Sequence, residues 1–245
     1  MTSQVFKNPS RRLQSGFTLV EVAIVLIIIG LLLGGILKGI EMINSAKVRR
    51  LAELSTSVHA AYAAFTDRYR RVPGDWNAAA ASLAIGAAVT GGGNNNGRID
   101  NPPGFAVWME SNALWEQLAK ADFISGRYLG SGFVEPDTGN ALAPLNPFGR
   151  VILVGRTADI EGAASARLHV MLGRGIPVAI ARELDVKLDD SVPDKGSIRA
   201  TVDDASLTTF VGINRWGGRE ASCLNATPLW NIANDSQDCN AVSLF

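Results

Sequence analysis

At 245 residues the chain can build one substantial domain or two small ones, and 47% hydrophobic against 19% charged residues excludes wholesale disorder. Its 23 basic and 23 acidic residues balance, but Lys7, Arg11 and Arg12 stand ahead of Gly16 with no acid among them, leaving a mildly acidic remainder. Such a body lacks the basic face a nucleic-acid binder needs, and no nucleic-acid partner is expected.

Residues 1–16 read as a short basic leader. From Phe17 to Leu37 the only charged residue is Glu21, and as a helix this run is ~32 Å long, about the thickness of a bilayer's hydrocarbon. Basic residues before it place the leader in the cytoplasm and the body across the membrane. A secretory signal peptide has a shorter apolar core and a small-x-small cleavage site. The stretch "GLLLGGILKGIEMI" offers neither. A plain signal anchor accounts for the length but leaves the acid Glu21 at the hydrocarbon edge without a purpose.

Gly16, Phe17, Thr18, Leu19 and Glu21, followed by "VAIVLIIIGLLLGG", resemble the N-terminal signal of type IV prepilins and of type II secretion pseudopilins. The resemblance covers about the first 55 residues. It implies a membrane peptidase that cuts between Gly16 and Phe17 and methylates the new amine of Phe17. The cut creates a cationic terminus one helical turn from Glu21, on its own chain or on a neighbouring subunit. On this reading Glu21 is the filament-assembly residue, because a buried acid favours the helix register that pairs it. A tolerated interfacial acid is the plain alternative. Gly30, Gly34, Gly35 and Gly39 form small-xxx-small spacings that let helices approach closely, though glycine is also common in membrane helices. The mid-helix proline usual in the family is missing.

Apolar residues continue at helical spacing through Ile40, Ile43, Leu51, Leu54, Val58, Tyr62, Phe65 and Tyr69, until Pro73-Gly74 ends the pattern. The organisation expected is therefore a leader over 1–16, a membrane-spanning or filament-core helix over 17–38, an amphipathic continuation over 39–72 and a globular domain over 73–245. In that domain "GDWNAAAASLAIG" reads as a turn and short helix with Asp75 as N-cap. "TGGGNNNGRIDNPPG" (90–104) reads as a flexible loop, and "ESNALWEQLAKADFI" as a helix with Leu114, Trp115, Leu118 and Phe123 inward. The order P-G-D, an Asn/Gly loop ending G-x-I, then E-S-x-x-x-W-x-x-L resembles a group of large bacterial pilin-like proteins. "GRVILVGR", "ARLHVMLG", "SIRATV" and "LTTFVGI" read as strands, and "IPVAIARELDVKLDD" as a helix. Helices followed by strands without strict alternation predict an α+β, pilin-like fold, the long helix packed on a mainly antiparallel sheet.

Catalytic motifs are lacking: no G-x-S-x-G, P-loop, HExxH or C-x-x-C occurs, and no enzyme is expected. The spacing of Cys223 and Cys239 fits a local disulfide as well as two idle thiols, and for an exported body the disulfide is the expectation. His59 and His169 show no ligand spacing with them. Asp185, Asp189, Asp190 and Asp194 lie beside a Pro/Gly turn where dense oxygens would accept calcium, with Asp189, Asp190 and Asp194 the candidate ligands. The same acids can instead cap a helix and shape a turn. Pilin-like proteins resemble this stretch as D-x-K-x-D-D-G-x-P-x-x-G, with Ser191 here in place of the glycine. No other cofactor is expected.

The reading is a structural subunit of a type IV pilus or pilus-like filament, a minor pilin in size. It would be held in the bacterial inner membrane by one span with its domain periplasmic, then polymerised. Its partners would be the prepilin peptidase, other pilin or pseudopilin subunits and the inner-membrane assembly platform. A type II secretion pseudopilin is the alternative within the family. A membrane-anchored periplasmic binding module or adhesin is the alternative outside it.

Overall fold

A computed structural model of the chain describes residues 18–100, 109–130, 142–156, 167–200, 223–225 and 229–245. Its longest element is α1, Leu19–Tyr69, ended by Arg70 in the left-handed region at φ 53°. The chain divides into two compact units, Met1–Ile43 and Asn44–Phe245. In the first, residues 18–38 are exposed on every side of the helix. Among the described residues α1 is the one helix long and apolar enough to cross a membrane.

The second unit is α+β. Its share of α1 buries Val48, Leu51, Ser55, Val58, Ala61 and Phe65, a stripe with steps of three and four that lays one helix face on the core. Leu54, Tyr62 and Tyr69 flank that stripe half-buried, as the periodicity predicts, whereas Ile40 and Ile43 are exposed and do not belong to it. After α1 come α2 (Ala78–Ile85), α3 (Met109–Lys120), β1 (Leu153–Gly155), β2 (His169–Met171), α4 (Val178–Leu188), β3 (Ile198–Ala200) and β4 (Ala241–Leu244). The cap of α2 is Asn77, whose Oδ1 accepts the N–H groups of Ala79 and Ala80. Asp75, expected there, points its carboxylate elsewhere.

The four strands form one antiparallel sheet in the order β1-β2-β4-β3. The stretches 149–156 and 166–173, read as strands, hold the ladders Leu153–Gly155 and His169–Met171 among the described residues, and the segment 207–213 read as a strand lies outside the described residues. With β2, β4 takes one of the two inner places, pairing Val170 with Ser243 on one side and Arg199 with Val242 on the other. The sheet meets α1 through Ser55 Oγ, which donates to Ser243 Oγ at 2.7 Å in the interior, and through His59, stacked on Phe245 with ring centres 3.9 Å apart. Phe65 fills the far end of this interface against Tyr69, Trp76 and Phe123.

Cys223 and Cys239 are joined in a disulfide, with Cα atoms 5.8 Å apart. Cys239 is fully buried and exchanges both backbone hydrogen bonds with Ile176, just before α4, so the bridge anchors the entry to β4. A loop of this size contributes ~3 kcal/mol by restricting the unfolded chain. The Cys223→Ser/Cys239→Ser double variant is therefore expected to melt roughly 6–12 °C lower in a thermal scan, and an unchanged melting point would show that the surrounding ladder alone holds the strand.

Candidate functional site

At its N-terminal end α1 opens with a reciprocal cap. Thr18 donates from both its backbone N–H and its Oγ1 to Glu21 Oε2, each at 2.8 Å, and Glu21 N–H donates back to Thr18 Oγ1 at 3.3 Å. This is a capping box, with the N-cap threonine and the glutamate three residues on satisfying each other's orphan donors. The T-x-x-E spacing signals it in sequence, and the cap adds a local bond to Thr18 to the register and assembly role expected of Glu21. Both bonds fall on Oε2, and Oε1 accepts none among the described residues. Gly16 and Phe17, the expected cleavage and methylation residues, lie outside the described residues. A Cβ added at Gly30, Gly34, Gly35 or Gly39 would meet nothing within 4 Å, so these glycines open flat ground on the helix.

In the body, the segments P-G-D, G-x-I and E-S-x-x-x-W-x-x-L come together around α3. Every residue of α3 from Glu110 to Leu118 is buried, including Glu110, Glu116 and Gln117. The expected inward residues Leu114, Trp115 and Leu118 are fully buried and Phe123 partly so. The polar residues have a separate task. Glu116 Oε2 accepts the N–H groups of Thr90, Gly91 and Gly130 at 2.9, 2.8 and 3.1 Å. Gln117 accepts from Gly74 N–H at 2.9 Å and donates to the carbonyls of Trp76 and Gly91. Glu110 accepts Asn94 N–H at 3.3 Å and Asp100 N–H at 2.8 Å. Asp75 accepts Asn96 N–H at 3.0 Å and Gly97 N–H at 2.7 Å.

Residues 90–100 are thus a fastened segment, a correction to the flexible loop that glycine and asparagine suggest; residues 101–104 lie outside the described residues. The small residues are there for approach. A Cβ at Gly93 would sit 2.1 Å from Glu110 Oε1, and Gly97 holds φ +84°. Burial pushes Glu110 up to about 8, against the pull of the Asp100 and Asn94 N–H groups and with the charges of Asp100 and Asp75 adding to the rise. Burial raises Asp75 as well, opposed by the N–H groups of Gly97, Asn96 and Asn95. Nothing in the sequence pairs these acids with donors 10 to 22 residues away.

The acidic turn after α4 uses its carboxylates locally. Asp185, Asp189 and Asp190 bring oxygen atoms within 4.8 Å of one another, so Asp185 joins two of the three candidate calcium ligands while Asp194 stays exposed and apart from that group. Asp189 Oδ2 accepts the N–H groups of Ser197 and Ile198, and Asp190 Oδ1 accepts from Val192. Asp185 is buried, taking Trp230 Nε1–H at 2.7 Å and Ser191 N–H at 3.2 Å. Ser191 adopts φ 69°, the conformation for which glycine would be expected at that place. The Cys223–Cys239 loop thereby turns Trp230 inward onto α4, while Trp216 lies outside the described residues.

With the geometry in place, the family comparison is specific about one segment. Residues 11–37 match the prokaryotic N-terminal methylation motif, the prepilin-type signal of type IV pilins and pseudopilins. That match covers the N-terminal segment alone; with the apolar α1 and the α+β body it supports a subunit of the type IV pilin or pseudopilin kind and suggests membrane anchoring. The motif implies processing by the prepilin peptidase and assembly with other pilins. Neither a curated protein nor a solved structure matches the chain.

Proposed function

We propose that the chain is a structural, non-enzymatic subunit of a type IV pilus or pilus-like filament, most consistent in size with a minor pilin. The peptidase cuts between Gly16 and Phe17, Phe17 is N-methylated, and α1 polymerises the subunit while the body stays on the periplasmic side. The observation that supports this reading is the methylation motif leading into an α1 whose residues 18–38 bury nothing of their own. Such a fully exposed apolar helix needs lipid or copies of itself around it. A type II secretion pseudopilin would share every one of these features and differ in its assembly machinery.

Mass spectrometry of the mature N-terminus tests the proposal. A chain beginning at N-methylated Phe17 is the expected result. A chain still carrying Met1 and its leader would overturn it.

A further inference from the structure

We propose that Glu110 is a proton-operated latch: neutral, it pins the 94–100 segment onto the start of α3, and ionised, it releases that segment. One carboxyl bridges both ends of the stretch, from Asn94 N–H to Asp100 N–H, in a site from which solvent is excluded. The group has no room to swing, because Gly93 closes over Oε1.

The groups around it are mostly acids. From the turn before α2 comes Asp75, buried and holding Asn96 and Gly97. From the segment itself comes Asp100, which also takes the Asn96 side-chain amide. The cations sit outside this group. Arg98 reaches Asp100 at 3.9 Å, and Arg70 and Arg71, at the end of α1, line a small recess with Asp75, Asn95 and Gly97. Arg70 itself pairs with Asp67 at 3.2 Å. Arg156, after β1, gives its backbone N–H to Ile99 and its side chain to Tyr62. A third ionised carboxylate in this company is unfavourable by burial and by like charge together.

The sign follows from proton counting. Glu110 titrates near 8 in the folded chain and in the ordinary carboxylate range when unfolded. Between those values the folded state holds a proton the unfolded state has lost, so stability falls as pH rises through the window and the loss is complete above it.

Arg98 is half-exposed on the segment and supplies a direct readout, tryptic cleavage after Arg98 in the full chain held in detergent micelles. Rates are normalised to an unstructured arginine peptide, and the Arg98 product is followed by mass spectrometry. Cleavage is expected to rise about tenfold from pH 7 to pH 9, as one ionisation centred near 8 dictates, and to stay flat in Glu110→Gln, which keeps the shape and an acceptor without the charge. In Asp100→Asn, where a like charge is removed, the midpoint moves to lower pH. The same rise in Glu110→Gln, or an unmoved midpoint in Asp100→Asn, overturns the latch. So does a result in which millimolar calcium abolishes the rise and a chelator makes cleavage fast at both pH values, because a cation rather than a proton would then neutralise the acids.

Discussion

Glu21→Val and Glu21→Gln are both expected to insert and be trimmed normally, yet to disappear from filaments. The pair is needed because the carboxylate has two uses. One is local: Oε2 closes the cap with Thr18, holding the first turn of α1. The other, proposed here, is intermolecular, a charge that answers the cationic terminus created at Phe17. Glutamine retains the cap, since the capping box accepts Glu or Gln at that position, but it brings no charge. Valine loses both. Removing one partner of a desolvated pair leaves the other charge stranded, so each variant should fall at least about tenfold in the sheared filament fraction relative to its membrane pool. A Gln variant recovered in filaments at parental levels would show that the cap, and not the charge, is what assembly requires.

Val242→Asp should prevent the body from folding. Val242 is fully buried on β4, between Met171 of β2 and Arg199 of β3. A carboxylate there is taken out of water beside Met171, and Arg199 opposite it already gives its Nε–H to the Gly196 carbonyl, so the penalty is about 4 kcal/mol or more. That is comparable with the total stability of a domain, about 5–15 kcal/mol. Limited proteolysis of membranes carrying the variant should digest residues 44–245 while leaving the α1 anchor in the bilayer. A body as resistant as the parent's would mean that the sheet is not organised around β4.

How much of this was legible in the sequence depends on the range of the forces involved. The helix α1, the inward residues Leu114, Trp115 and Leu118, and strands β1 and β2 all announce themselves through local periodicity, which is set by the neighbours each residue meets within one or two turns. The α2 cap was misplaced by two residues because Asp75 and Asn77 are both competent caps, and only the pull of Asn96 and Gly97 on Asp75 decides between them. The fastened 90–100 segment was invisible because its composition is that of a free loop and its acceptors come from α3. Strand β4 was missed because "AVSL" is four residues long and half of it is small, too short to show a period. The candidate site divides the same way. The methylation signal is a contiguous string and was readable, whereas Thr18's reciprocal bond, the Glu110 environment and Asp185's bond to Trp230 appear only when distant residues meet.

The inner position of β4 has a consequence for how the body is made. Each of the other described strands is synthesised earlier, yet β2 and β3 have no shared edge until residues 241–244 arrive between them. The bond from Ser55 to Ser243 closes a span of 188 residues, and pairings of such sequence separation are slow to find. Were the N-terminal helix already held in lipid, as proposed, the body would stay unfinished on that tether until residues 241–244 emerged. Over that interval the exposed edges would be open to proteases and to neighbouring nascent chains, and folding would come as one late event rather than piece by piece.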